Sequence, residues 1–296
     1  KKIDVSKISE IENVLDNIDV VIHSVAKVPL VKNNLEFEKT NVLGTKNILN
    51  VALKKKIKKF IYVSSSAVYG ISGKSPINEK SERHPCENYG FSKKKAEDLC
   101  FDFKEKGLNI SIVRPRTVIG GKRLGIFSVL FWWIKNNKKI PIINNGKNIY
   151  QFVDINDLVE SIYLVSTYEK NEDFNIGADE FFSIEEILNY LIKKYNSKSK
   201  LRNISNNFMF KLALQISKTK LIPLQEYHFK AYGESIYFDN SKAKRLLNWY
   251  PKYSNKKSFE NSFNYYNESI NDLDRSSSPH QKIIKNFIIR FGTIFI

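Results

Sequence analysis

Short apolar runs alternate with amphipathic stretches along the first half of the chain. Residues 19–23 and 60–64 are runs of β-branched, aromatic and other apolar residues, which predicts two buried strands. Between them, residues 35–56 carry apolar residues at helical spacing, which predicts a connecting helix. This alternation is typical of βαβ units, so we predict an α/β fold with a doubly wound parallel sheet.

A third unit follows, and then the rhythm changes. Residues 89–106 form a Lys- and Glu-rich amphipathic stretch that ends at Gly107, and residues 110–113 are the next apolar run. From about Gly120 onward the predicted elements are mixed: a helix at 127–134, an apolar segment at 140–143, and helices at 157–166 and 183–195. We therefore predict a sheet domain over residues 1–120, a smaller interleaved lobe with returning sheet elements over 121–275, and a tail over 276–296.

Composition excludes several classes of protein. The 296 residues include only two cysteines, which favours a reducing, cytoplasmic location and predicts neither a disulfide framework nor a metal site. The net charge of +17 comes from lysines scattered along the chain, so we expect a solvated surface and no nucleic-acid partner. No apolar run is long enough to span a bilayer, so a membrane partner is not expected either.

The segment with the clearest chemistry contains a tyrosine and a lysine four residues apart. Tyr89 and Lys93 share one face of the predicted helix, one turn from each other. A neighbouring ammonium favours the phenolate, so Tyr89 could take a proton from a substrate hydroxyl. The preceding strand ends in three serines, 64–66, and we choose Ser65 as the hydroxyl that holds the substrate oxygen.

Five sequence blocks occur together in one order and spacing: residues 20–26, 41–45, 60–70, 89–93 and 113–115. In this arrangement the chain resembles the extended short-chain dehydrogenases/reductases, the NAD-dependent epimerase/dehydratase family. The resemblance covers roughly residues 1–250 and ends in a segment that is similar to the C-terminal element of that family. It implies a Rossmann-like fold with NAD or NADP as cofactor.

The resemblance also implies individual roles. Tyr89 matches the catalytic base or acid, Lys93 its pKa-lowering partner and ribose ligand, and Ser65 the donor to the substrate oxygen. The remaining cofactor-binding positions are Asp4, Val5, Ser24, Val25, Ala26, Asn41 and Arg116. We expect His23, at a strand end, to be a packed core histidine with no part in the chemistry.

The family pattern begins with a strand and a glycine-rich turn that approaches the cofactor pyrophosphate. That motif does not occur here, and Gly120-Gly121 follows a later strand, where we expect it to start the substrate loop. The first residues match the end of the third strand of the family. We therefore expect an N-terminally truncated chain whose first βα units are missing.

Two other departures concern the substrate. The family's dehydratases follow the catalytic hydroxyl with an Asp-Glu pair, whereas Ser65 is followed by Ser66 and Ala67, which argues against dehydration. Family epimerases place an arginine just before the strand at 152–154, whereas Tyr150 and Gln151 stand there. The predicted substrate-binding residues are therefore Ser66, Arg116, Lys122 and Arg123.

Three functional hypotheses follow. The first is an NAD(P)-dependent oxidoreductase or epimerase that acts on a nucleotide-sugar hydroxyl by hydride transfer, with Tyr89 as the base. The second keeps this chemistry on a sterol-like or other hydrophobic alcohol, which the aromatic segment at 127–133 and the missing arginine before the 152–154 strand would suit. The third is a non-catalytic remnant that retains the fold for binding. A homodimer is compatible with all three.

Overall fold

The computed structural model describes residues 1–28, 34–71, 73–121, 124, 127–205, 231 and 233–273. The chain divides into two compact units that alternate along the sequence. Unit 1 comprises Lys1–Arg116, Leu158–Ile176 and Phe238–Tyr250, and unit 2 comprises Thr117–Asp157, Gly177–Tyr237 and Pro251–Ile296. The tail predicted over residues 276–296 lies outside the described residues.

The strands of the described residues are β1 (Val20–His23), β2 (Lys59–Val63), β3 (Ile110–Pro115), β4 (Thr117–Ile119), β5 (Ile140–Ile142), β6 (Phe152–Asp154), β7 (Asp173–Ile176) and β8 (Leu201–Asn203). Strands β1, β2, β3 and β7 form the sheet of unit 1 in that order, and every neighbouring pair is parallel. The predicted parallel α/β sheet is confirmed. A parallel sheet brings the carboxyl ends of its strands to one edge, where ligand sites form.

The helices are α1 (Ile8–Glu12), α2 (Asn34–Phe37), α3 (Gly44–Lys54), α4 (Asn88–Glu105), α5 (Phe127–Lys135), α6 (Ile155–Thr167), α7 (Ile184–Lys194), α8 (Ser241–Leu247) and α9 (Asn255–Leu273). The predicted helix over residues 35–56 is confirmed with one difference. Between α2 and α3 the backbone winds as a π-helix over Glu38–Leu43. Single π-helical turns are rare and occur frequently at functional sites.

Helices α3 and α4 pack together beside the sheet of unit 1. Their apolar faces supply fully buried residues such as Leu49, Ala52 and Ala96, which join Phe60 and Ile112 of the strands in one core. Burial of apolar surface of this extent is the main stabilising contribution to such a unit. The position of α4, which carries the Tyr-Lys segment, therefore depends on this core.

Unit 2 has its own core, which is rich in aromatic rings. Phe131 of α5 packs edge to face against Phe259 and Phe263 of α9, with ring centroids 6.3 and 5.4 Å away. Phe152 of β6 makes the same kind of contact with Phe259 at 4.9 Å. Edge-to-face packing is a preferred arrangement of aromatic pairs. Among the described residues, no helix is long and apolar enough to cross a membrane.

Two glycines that follow the three serines at 64–66 provide a stability test. Gly70 has a φ of +66°, and a Cβ there would lie 2.0 Å from the His84 carbonyl oxygen, whereas Gly73 has a φ of +63° with open space around it. Gly70→Ala should lower the free energy of unfolding by about 3 kcal/mol or more, since strain and a backbone clash add. Gly73→Ala, the matched control, should cost about 1 kcal/mol from strain alone. Both losses are measured by urea denaturation. Equal losses of unfolding free energy in the two variants would contradict the close approach of Gly70 to the His84 carbonyl.

Candidate active site

The serine turn directly follows the carboxyl end of β2. Ser65 is the N-cap of a 3-10 turn over Ser66–Tyr69, and its Oγ accepts a hydrogen bond from the Ala67 N–H at 3.2 Å. Ser65 is half-buried, so its hydroxyl remains within reach of a ligand. Because the strand ends at Val63, the turn places this hydroxyl at the ligand-binding edge of the sheet.

Helix α4 begins beside that turn, and Tyr89 lies in its first turn. The Glu87 carboxylate caps the helix by accepting hydrogen bonds from the N–H groups of Tyr89 and Gly90, at 2.7 and 2.6 Å. A Cβ at position 90 would lie 2.6 Å from the Ala67 carbonyl oxygen. Glycine at this position therefore lets the helix that carries Tyr89 approach the turn that carries Ser65.

Lys93 lies one helical turn after Tyr89 and is buried, with 2% of its surface exposed. Its Nζ donates to the Val63 carbonyl oxygen at 2.7 Å and lies 4.2 Å from the centroid of the Tyr62 ring. Burial lowers the pKa of Lys93 to about 7, although the nearby Glu97 opposes that shift. The buried amine therefore gives up its proton more readily than the amine of an exposed lysine.

Asn41 connects three segments around the site. Its Oδ1 accepts from the Lys27 N–H at 2.8 Å, and its Nδ2 donates to the Lys27 carbonyl at 3.1 Å and to Ser92 Oγ at 2.9 Å. Ser92 in turn donates to the Tyr89 carbonyl oxygen at 2.7 Å. Asn41 sits in the π-helical turn, so this turn joins the segment after β1 to the start of α4.

His23 lies deeper in the same region, where 2% of its surface is exposed. Thr45 Oγ1 donates to the Asn41 carbonyl oxygen at 2.7 Å, so His23 Nε2–H is the donor to Thr45 at 2.9 Å. Burial, reinforced by the Lys93 charge, lowers the pKa of His23 to about 3. His23 is therefore neutral and hydrogen-bonded, which confirms the prediction of a packed core histidine.

Several predicted cofactor positions lie around one cavity of unit 1 with a volume of about 420 Å³. Asp4, Val5 and Val25 line it, together with His23 and apolar residues of α1 and β1. The Asp4 carboxylate accepts a hydrogen bond from the Ser6 N–H, which lowers the pKa of Asp4. Apolar walls with a carboxylate suit the adenosine half of a dinucleotide. The residues present therefore fit the cofactor that the resemblance implies.

The other predicted binding residues are placed as follows. Ser24 is exposed, and Ala26 and Ser66 are half-buried. Arg116 is buried, with its guanidinium carbon 5.5 Å from the centroid of the Phe238 ring. Lys122 and Arg123 lie outside the described residues.

Sequence reasoning did not identify Thr45 and Ser92, which complete the network around Asn41. Thr45 lies in the sequence block at 41–45 and Ser92 in the block at 89–93. Membership of these blocks was the only signal in the sequence that could have identified them. Gln151, which stands next to the position of the family arginine, is fully buried and donates to the Ala178 carbonyl at 2.6 Å. Its amide therefore forms a hydrogen bond within unit 2.

The model of the NAD dependent epimerase/dehydratase family matches residues 1–177. The chain is 36% identical over 273 residues to the uncharacterised protein y4nG of Sinorhizobium fredii, which covers 92% of this chain and 69% of that protein. It is 26% identical over 280 residues to the UDP-glucuronate 4-epimerase of Thermodesulfobacterium geofontis, which covers 91% of this chain and 79% of that enzyme.

Solved structures show the same fold. The UDP-glucuronic acid 4-epimerase from Bacillus cereus, crystallised with NAD, matches with a TM-score of 0.74 at 24% identity, over 90% of this chain and 79% of that one. The family match spans more than half of the 296 residues and includes Ser65, Tyr89 and Lys93. By its sequence and by its Rossmann-type sheet, the chain belongs to the NAD-dependent epimerase/dehydratase family of extended short-chain dehydrogenases.

Proposed function

We propose that the protein is an NAD(P)-dependent epimerase or oxidoreductase that acts on a hydroxyl group of a nucleotide sugar. The observation that carries this proposal is the buried Lys93 ammonium, held one helical turn from Tyr89 on the helix that approaches the Ser65 turn. A phenol beside an ammonium can accept a hydroxyl proton, and a serine hydroxyl can hold the same substrate oxygen. A non-catalytic remnant has no need for a buried lysine at this position.

NAD(P), when bound, would accept the hydride that leaves the substrate carbon, and return of that hydride to the opposite face would give epimerisation. The chain contributes the other half of the reaction, because Tyr89 takes the hydroxyl proton as the carbon–oxygen bond becomes a carbonyl. Asp4, Val5 and Val25 would hold the adenosine half in the cavity of unit 1. The family resemblance gives Lys93 the role of ribose ligand.

The nucleotide-sugar assignment is supported by the relatives, since the matching enzymes carry names such as UDP-glucuronate 4-epimerase and UDP-N-acetyl-alpha-D-glucosaminuronate decarboxylase. The sterol-like alternative depended on an aromatic segment available for an apolar ligand and on the missing arginine. In the structure, Phe127 and Phe131 of that segment pack against Phe259 of unit 2. This packing weakens the first of these two arguments for a hydrophobic alcohol.

We also propose a cytoplasmic location. The chain has only two cysteines, Cys86 and Cys100, which is too few for the disulfide framework that is typical of secreted domains. The homodimer stays a prediction.

A panel of substrates tests the proposed class. The purified protein with NAD or NADP should convert at least one nucleotide sugar, followed by chromatography of the products and by nicotinamide absorbance. Sterols and other hydrophobic alcohols should give no turnover, because Phe131 of α5 is buried in the core of unit 2 and the other aromatic rings of α5 pack against that core. Turnover of hydrophobic alcohols alone would reject the nucleotide-sugar assignment.

Substitution of the proposed base tests the chemistry. Tyr89→Phe removes the phenol and should lower kcat by about 10²-fold or more, with a smaller effect on the KM of the sugar nucleotide. Tyr163→Phe is the matched control, since Tyr163 is 66% exposed on α6. If Tyr89→Phe retained full kcat, Tyr89 would not be the base.

The lowered pKa of Lys93 predicts that the free energy of unfolding depends on pH. Its folded pKa of about 7 lies below the ordinary value of 10.5, so the unfolded chain binds more protons between those pH values. The destabilisation by the buried ammonium is therefore fully present below pH 7 and diminishes as the pH rises. Relative to Lys93→Met, the wild-type free energy of unfolding should rise by up to about 1.4 kcal/mol per pH unit between pH 7 and 10. The free energy of unfolding of both proteins is measured by urea denaturation at each pH. If it depended on pH in the same way for both, the lowered pKa of Lys93 would be refuted.

A further inference from the structure

Arg114 lies near the end of β3, and only 1% of its surface is exposed. A guanidinium keeps its charge even when it is buried, and its planar donors point in fixed directions. The structure directs these donors toward groups on different elements of unit 1.

One side of Arg114 is bound by helix α4. Its Nε donates to Glu97 Oε1 at 2.8 Å and its Nη2 to Glu97 Oε2 at 2.9 Å, which is a bidentate pair. Glu97 is fully buried and lies one helical turn after Lys93. The pair thus fixes α4 to the sheet at a point close to the catalytic lysine.

The other side of Arg114 reaches the serine turn. Its Nη1 donates to the Tyr69 hydroxyl oxygen at 3.3 Å, while that hydroxyl donates to Asn175 Oδ1 at 2.9 Å. Tyr69 is buried and is the last residue of the 3-10 turn that Ser65 caps. One guanidinium therefore contacts both elements that carry the proposed catalytic groups.

We propose that Arg114 is a positioning residue that sets the spacing between Ser65 and the Tyr89-Lys93 pair, by holding Glu97 of α4 and Tyr69 of the serine turn at once. This inference rests on the proposed function. The family resemblance includes Arg114 in the block at 113–115 and implies no role for it. A misplacement of reacting groups by about 1 Å can cost as much as 10²-fold in rate, so a rigid link between two elements affects the chemical step.

Arg83 provides a matched control because it binds the same carboxylate. Its Nη1 donates to Glu97 Oε2 at 3.0 Å and its Nη2 to Asp98 Oδ1 at 2.8 Å. No hydrogen bond of Arg83 in the described structure reaches the serine turn, and its side chain is 23% exposed. Loss of Arg83 therefore weakens the charge network without removing the link to Tyr69.

The experiment compares Arg114→Lys, Tyr69→Phe and Arg83→Lys with the wild-type protein. Arg114→Lys keeps the charge but loses the fork of donors, and Tyr69→Phe keeps the ion pairs if the arginine variant does not fold. Both should lower kcat by about tenfold or more with KM within about twofold, since the chemical step is affected and ground-state binding is not. Arg83→Lys should retain kcat within about twofold while lowering Tm. Unchanged kcat in the first two variants, or an equal loss in all three, overturns the proposal.

A measurement without turnover separates this inference from the proposed function. Crystal structures of the wild type and the three variants give the distance between Ser65 Oγ and Tyr89 Oη. We expect a change of about 0.5 Å or more in Arg114→Lys and Tyr69→Phe, and none in Arg83→Lys. If the wild type turns over no nucleotide sugar, the proposed function fails. The distance between Ser65 Oγ and Tyr89 Oη in each variant then tests the positioning role of Arg114 by itself. Unchanged distances overturn the positioning role, whatever the activity.

Discussion

Burial of the Lys93 ammonium removes a positive charge from water, and the surrounding groups have to compensate for that loss. The Val63 carbonyl oxygen accepts its hydrogen bond, the Tyr62 ring lies beneath it, and Glu97 supplies a negative charge one turn away. These contacts only partly offset the desolvation, so the pKa of Lys93 falls to about 7. This position depends on both β2 and α4, and therefore on the core that packs α4 beside the sheet.

The same unit also contains a chain of hydrogen bonds between uncharged groups. His23, Thr45, Asn41 and Ser92 form a chain that ends on the Tyr89 carbonyl. Each buried group in the chain has a partner, which is the condition under which a polar network makes a structure rigid. The π-helical turn brings the Asn41 amide to the loop after β1 and to α4 together. Tyr89 is thereby held through its backbone carbonyl, and its ring packs edge to face on Phe37 with the centroids 6.2 Å apart.

Glu97, one helical turn after Lys93, also belongs to a cluster of buried charged groups. Arg114 binds Glu97 in a bidentate pair and also contacts Asp173 at 3.1 Å. Buried ion pairs of this kind often contribute little net stability, because desolvation offsets the attraction. Their geometric effect is different, since a guanidinium with several fixed partners determines where those partners lie. The arrangement of α4 relative to the serine turn is the feature that this geometry would control.

The sequence by itself determined the βαβ rhythm, most helix and strand positions and the chemical identity of Ser65, Tyr89 and Lys93, because periodicity and short-range spacing are local properties. It could not show the π-helical turn, since Asn41 finds Ser92 only after the chain has folded. It also suggested an apolar binding segment in α5, whereas Phe131 packs in a core formed with α9. Only the tertiary structure decided the burial of Lys93 and the contacts of Arg114, because desolvation and hydrogen bonding between distant residues depend on which surfaces meet.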